Sequence, residues 1–204
     1  LKYVFMVVFT TALSFGLTYM FGYEDEASSV PAEDEEAGAI IEEETTGTVP
    51  ASLQDETIIS PIVGQAVALS KVDDPVFSSG AMGQGIAVKP SEGVVYAPAD
   101  AEVTIAFATG HAFGLKTANG AEILIHVGID TVSMNGDGFE KKVAQGDKVK
   151  AGDVLGTFDS AKIAAAGLDD TTMVIVTNTA DYASVTPVAT GAVAKGDAII
   201  EVKA

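Results

Sequence analysis

Hydrophobic and polar positions divide the chain into three stretches that follow different rules. Residues 3–23 run Tyr-Val-Phe-Met-Val-Val-Phe-Thr-Thr-Ala-Leu-Ser-Phe-Gly-Leu-Thr-Tyr-Met-Phe-Gly-Tyr without a single charge. As a helix rising 1.5 Å per residue, that run would reach about 32 Å, close to the hydrocarbon thickness of a bilayer. Tyr3, Tyr19 and Tyr23 stand near its ends, as interfacial aromatics do. The pattern predicts the end of a membrane helix over residues 1–23. A secretory signal peptide is the alternative, and it fits less well. The basic n-region is reduced to Lys2, the apolar run is too long, and acids stand where a small-residue cleavage site belongs.

Residues 24–56 are the opposite case. They contain twelve acids and no base, with Pro31, Pro50 and the runs Glu33-Asp-Glu-Glu36 and Glu42-Glu-Glu44. Too little apolar surface is present to offset the entropy of ordering, so a disordered acidic linker is predicted. A flexible tether of that length reaches roughly 30 Å and holds an attached domain near its partner at an effective concentration of order millimolar.

Residues 57–204 alternate short apolar runs with Gly, Pro, Asp and Asn. Strands are predicted at 58–59, 65–69, 85–88, 93–96, 102–108, 112–117, 122–129, 148–149, 154–158, 173–177 and 198–202. This spacing points to an all-β antiparallel sandwich or barrel. One helical turn is predicted over 159–168, capped by Asp159 or Ser160. A weak internal repeat links Val149-Lys-Ala-Gly-Asp153 to Val193-Ala-Lys-Gly-Asp197, and Pro61-Ile-Val-Gly more loosely to Pro98-Ala-Asp-Ala.

Charge and composition then narrow the function. The net charge is −18, most of it from the linker stretch. An acidic chain without a basic cluster argues against nucleic-acid binding. The absence of Cys removes disulfides, thiolate catalysis and cysteine metal sites.

The densest chemistry lies in Gly120-Ala-Glu-Ile-Leu-Ile-His126-Val-Gly-Ile-Asp130-Thr. Period-two alternation sets Ile123, Ile125, Val127 and Ile129 on one strand face and Leu124, His126, Gly128 and Asp130 on the other. His126 is thus expected to point outward, with Gly128 leaving room beside it. The only other histidine, His111, precedes it by fifteen residues within Gly-His-Ala-Phe-Gly. Imidazole titrates near neutral pH, so such a pair suits nucleophilic or proton chemistry. An idle half-exposed strand histidine is the plainer reading of these residues alone.

Several ordered pieces carry a resemblance that weighs against that plainer reading. They are Ile59-Ser-Pro-Ile-Val-Gly64, Val76-Phe77, Gly85-Ile-Ala-Val-Lys-Pro90, Ala97-Pro98, Thr109-Gly-His-Ala-Phe113, Leu124-Ile-His-Val-Gly-Ile-Asp-Thr-Val132, Gly138-Phe139 and Val149-Lys-Ala-Gly-Asp153. In that order and spacing they resemble the glucose-type enzyme IIA domain of the bacterial sugar phosphotransferase system. The resemblance covers about residues 56–204, and it implies a duplicated hairpin motif, with which the internal repeat agrees. It implies that His126 accepts a phosphoryl group from the phosphohistidine of HPr and passes it to an enzyme IIB cysteine. His111 would stabilise the transferred charge, oriented by the Thr109 hydroxyl. Val76, Phe77, Met82 and Phe107 would form an apolar docking patch, and Asp74 and Asp130 would meet basic groups of a partner. No metal or cofactor is implied.

The first stretch, through Leu17-Thr-Tyr-Met-Phe-Gly22, resembles the last helix of an enzyme IIC permease domain. Permease before IIA matches the B–C–A order of β-glucoside and sucrose permeases. The expected location is the cell membrane, with the IIA domain in the cytoplasm. Two departures from the family pattern stand out. Ala101 replaces a glycine expected after Pro-x-Asp, and Ser79-Gly80-Ala81 is smaller and less charged than usual.

Rival readings stay open at this point. A regulatory phospho-dependent binding module needs the same residues without rapid turnover. A zinc peptidase-like site lacks its third ligand, because Gly128 stands where a His-x-His pair needs its second histidine. A swinging-arm carrier would need its lysine at a hairpin tip, a context that Lys162 lacks. Gly80-Ala-Met-Gly-Gln-Gly85 has no following Lys-Ser/Thr and reads as a turn.

Overall fold

The computed structural model describes residues 53–204, so the expected membrane helix and most of the acidic linker lie outside the described residues. The described part is all-β. Its strands are β1 (Glu56–Ile59), β2 (Gly64–Ala68), β3 (Gln84–Pro90), β4 (Val94–Tyr96), β5 (Ala101–Ala106), β6 (Ala112–Thr117) and β7 (Glu122–Val127). They continue with β8 (Phe139–Lys141), β9 (Lys148–Val149), β10 (Val154–Phe158), β11 (Thr172–Val176), β12 (Ser184–Pro187), β13 (Gly191–Val193) and β14 (Ala198–Lys203). Helices are confined to α1 (Pro75–Ser78), α2 (Ser160–Ala165) and three short 3-10 turns. No helix among the described residues is long and apolar enough to cross a membrane.

An eight-stranded sheet runs β13-β2-β3-β11-β7-β6-β5-β9, beside three-stranded sheets β1-β14-β12 and β4-β10-β8. Every strand pair is antiparallel. The main core gathers Ile86, Val88, Phe113, Ile123, Ile125 and Val174 of the large sheet with Ile58, Leu155, Ile200 and Val202 of the smaller ones. It therefore lies between the large sheet and the two small ones. The opposite face of the large sheet is covered locally by a second cluster of Leu69, Val72, Phe77, Ala87, Met173 and Ile175.

The repeat seen in sequence has a physical basis, and it has a third copy. In Val149–Asp153 and Val193–Asp197 the aspartate carboxylate accepts the backbone N–H three residues earlier, from Lys150 and Ala194, each at 2.8 Å. Val143-Ala-Gln-Gly-Asp147 closes in the same way, with Ala144 N donating to Asp147 at 2.8 Å. Each turn holds its glycine near φ +90°, where a side chain would be strained (Gly146 91°, Gly152 87°, Gly196 92°).

Some expectations shift. Asp159 does cap α2, accepting from Ala161 N and Lys162 N. Strands β8, β12 and β13 and helix α1 were not anticipated. Ala101 opens β5, and the positive-φ non-glycine residues described are Asp130 and Asn135. The alanine therefore fits without strain. The domain start expected at residue 57 is preceded by residues that already engage the fold. Leu53 packs on the main core, Gln54 N donates to Asn119 O at 3.1 Å, and Asp55 pairs with Lys203 at 3.0 Å. Glu56 accepts the Thr117 hydroxyl at 2.7 Å.

Candidate functional site

β7 is sandwiched between β6 and β11, with His126 opposite Ala112 on one side and Met173 on the other. Its face is therefore not the outward face expected from the alternation. His126 is only 4% exposed, because Phe77 from α1 lies over it with ring centroids 5.2 Å apart. Alternation told the two faces apart correctly, but it carries no information on what a distant segment lays over the second face. The expected strand also ends early. Gly128 has φ +76°, which turns the chain and puts Ile129 with the second cluster instead of beside Ile125. Asp130 does not continue the His126 face. It sits at φ 57°, exposed, at the start of the 3-10 turn Thr131–Met134.

His111 lies just before β6, and its carbonyl accepts Val127 N at 2.8 Å. That bond fastens the two histidine segments together. The rings meet edge-on with centroids 5.0 Å apart at 77°. Phe107 packs on His111 at 5.3 Å, so the order of rings is Phe77, His126, His111, Phe107. Burial pushes the His126 pKa down to about 4, opposed by its hydrogen bond to Gly128. Burial and the neighbouring His126 push His111 down to about 3. Both rings are neutral at physiological pH.

Neutral rings must place one proton each. His126 Nδ1 lies 2.9 Å from the Gly128 carbonyl. A carbonyl only accepts, so Nδ1 carries the hydrogen and Nε2 keeps its lone pair. Among the described residues, His126 Nε2 is the one fully buried side-chain nitrogen or oxygen without a partner. An orphaned buried acceptor costs about 1–3 kcal/mol, so this nitrogen adds nothing to the stability of the fold. The Thr109 hydroxyl lies 2.5 Å from His111 Nδ1. A hydroxyl donating there leaves the His111 proton on Nε2.

The other predicted residues divide. Phe107 is half-buried beside His111, and Met82 is half-buried on the second cluster. Val76 is the exposed apolar residue of α1 at 38%, whereas Phe77 is 6% exposed and faces His126 instead of solvent. Asp74 caps α1, one carboxylate oxygen accepting Val76 N at 2.8 Å and Phe77 N at 3.1 Å. Its first duty is thus to hold the helix that carries Phe77. Lys162, the residue a swinging arm would need, is paired with Asp137 at 2.6 Å on α2. Gly80–Gly83 forms the turn expected there.

An antiparallel sandwich that pairs two neutral, buried imidazoles, one with its lone pair free, is the frame of a histidine phosphocarrier. Residues 56–182 match the family described as phosphoenolpyruvate-dependent sugar phosphotransferase system, EIIA 1, and the chain belongs to that family. It contains an enzyme IIA phosphocarrier domain, a phosphotransferase component of sugar uptake. A β-glucoside-specific EIIBCA component of Dickeya chrysanthemi is 42% identical over 93% of this chain, which spans 30% of that protein. A glucose-specific EIIA component of Bacillus cereus is 47% identical over 61% of this chain and 76% of its own length. The solved glucose permease IIA of Mycoplasma capricolum is 34% identical with a TM-score of 0.67, covering 72% of this chain and 96% of that one. The chain thus spans under a third of its β-glucoside relatives.

Proposed function

We propose that His126 Nε2 is the phosphoryl acceptor of this domain. The donor is the phosphohistidine of HPr, and the onward acceptor is the cysteine of an enzyme IIB domain. The neutral Nε2 lone pair attacks phosphorus in line. A P–N bond forms at His126 as the donor's P–N bond breaks, and the donor imidazole leaves with the electron pair. Nδ1–H stays on the Gly128 carbonyl throughout, which supports the positive charge that builds on the ring. His111 Nε2–H donates to a phosphoryl oxygen and stabilises the transferring charge. The observation that carries this reading is the buried, unpartnered Nε2 of a ring whose other nitrogen is committed to Gly128.

The surroundings support a docking role around the ring pair. Val76, Met82 and Phe107 supply a small apolar centre. Asp74, with one carboxylate oxygen uncommitted, and Asp130 supply charges for basic groups of HPr and IIB. The fused EIIBCA relatives favour IIB and the IIC permease as parts of one polypeptide with this domain. Residues 1–23 would then be the end of a IIC helix and residues 24–56 the acidic tether, with the IIA domain in the cytoplasm. The transported sugar would be decided in the permease part of such a polypeptide.

The test is phosphoryl labelling with phosphoenolpyruvate, enzyme I and HPr. One acid-labile, base-stable group is expected per chain. Because His126 is buried, His126→Gln is a better probe than alanine, which would open a cavity. Full labelling of a folded His126→Gln protein would overturn the assignment.

A further inference from the structure

We propose that Thr131 is a positioning residue that sets the tautomer of His126 through the Gly128 carbonyl; this rests on the reading of His126 as acceptor. The turn after β7 has to do something specific. Within two residues of the ring it must point a carbonyl oxygen back at Nδ1. Gly128 achieves this only in the left-handed region, at φ +76°. Two bonds from the far side, Gly128 N to Thr171 O at 3.2 Å and Ile129 N to Asp169 O at 2.8 Å, anchor the N–H groups on either side of that carbonyl. Neither bond fixes the near side of the turn.

Thr131 does. It is fully buried, and its hydroxyl donates to the Val127 carbonyl at 2.5 Å, tying the turn back to the last residue of the strand. Its methyl fills the space over the bare Gly128 α-carbon, where a Cβ would lie 2.3 Å from Thr131 Cγ2. Strand end, methyl and hydroxyl together leave the Gly128 carbonyl one direction, toward His126 Nδ1 at 2.9 Å. Once the turn relaxes, that acceptor is lost and the proton redistributes to Nε2. A protonated Nε2 has no lone pair for phosphorus, so each molecule in that tautomer is inactive as an acceptor. Thr131 touches neither the reacting nitrogen nor the phosphoryl group in this scheme.

The experiment uses residues 53–204, since the solved Mycoplasma chain consists almost wholly of this fold. Two-bond proton–nitrogen spectra of histidine-labelled protein read the His126 tautomer directly, and labelling from phospho-HPr reads the acceptor rate. Thr131→Val keeps the shape and removes the hydroxyl. It should move His126 toward Nε2–H and slow acceptance about tenfold, the scale of one ordinary hydrogen bond. Thr131→Ser, which keeps the donor, should restore most of both. If Thr131→Val does not fold, Thr131→Ala, which removes hydroxyl and methyl together, should shift the tautomer and slow acceptance at least as far. A wild-type tautomer and rate without the hydroxyl, or a serine variant as impaired as the valine, would overturn the proposal. Failure of the acceptor assignment is distinguishable, because the tautomer shift would stand while labelling at His126 was absent in every variant.

Discussion

Acid should unfold this domain through its two histidines before its carboxylates matter. Both imidazoles are held neutral by burial, with folded values of about 4 for His126 and about 3 for His111, against an ordinary 6.5. A depressed base makes the unfolded chain the better proton binder. The stability contribution is complete above pH 6.5 and is lost as pH falls from there through the folded values. At pH 4.5 the linkage amounts to about 2.5 kcal/mol for each ring, or about 5 kcal/mol together. That is comparable with the whole stability of a marginal domain. The depressed carboxyls of Asp55 and Asp100 act in the same direction, but only below their ordinary value of 3.8. Glu56, raised by burial, acts oppositely. Urea unfolding of residues 53–204 at intervals from pH 7.5 to 4.5 separates these contributions. The midpoint should fall steeply in this range, and His111→Gln with His126→Gln should flatten the slope. A flat wild-type profile from pH 7 to 5, or the same slope in the double variant, would refute the argument.

Three further outcomes follow from named contacts. His111→Gln should still become labelled by phospho-HPr, while transfer onward to IIB slows about 10²–10³-fold, the usual cost of one lost stabilising donor; a variant that never labels would make His111 an acceptor or base. A chain beginning at residue 57 should be less stable in urea than one beginning at 53 by about 2 kcal/mol, having lost Leu53 burial and the Glu56–Thr117 bond; equal midpoints would show that those contacts contribute nothing. The full chain should sediment with membranes after gentle lysis, given the uncharged residues 3–23, and recovery in the soluble fraction would remove the membrane assignment.

The strands that sequence revealed are those whose β-branched and aromatic runs alternate cleanly or are continuously apolar, such as β7 and β11. Three were missed for identifiable reasons. Phe139–Lys141 and Ser184–Pro187 each have one apolar residue facing inward at most, and Gly191–Val193 is three residues beginning with glycine. Helix α1 is four residues long, too short for any period to show, though Asp74-Pro75 is a helix-start signal. At the site, the motif named both histidines and Thr109. What it could not convey is that Phe77 closes over His126, because the contact joins residues 49 positions apart through an irregular segment. The Gly128 carbonyl and Thr131 were hidden for a different reason. Backbone direction after a strand depends on φ, and a glycine in sequence reads equally as spare room or as a left-handed turn.

As the proposed acceptor, His126 would have to meet two requirements that pull against each other. A nucleophilic imidazole must be neutral with a free lone pair, and burial against Phe77 together with the Gly128 carbonyl provides both. The same burial leaves Nε2 without accessible surface, so an incoming phosphorus cannot reach it until something moves. The main core does not have to be that element, because Ile125 and Val127 lie on the other face of β7. Phe77 belongs instead to the small second cluster, on a four-residue helix held by the Asp74 cap and followed by Gly80 and Gly83. The cost of exposing Nε2 therefore falls on a few contacts rather than on the sandwich. Val76, the exposed neighbour of Phe77, sits where a docking surface would bear on that same helix. A protein donor bearing on that helix would open the proposed acceptor from its edge, with water kept from Nε2 until docking.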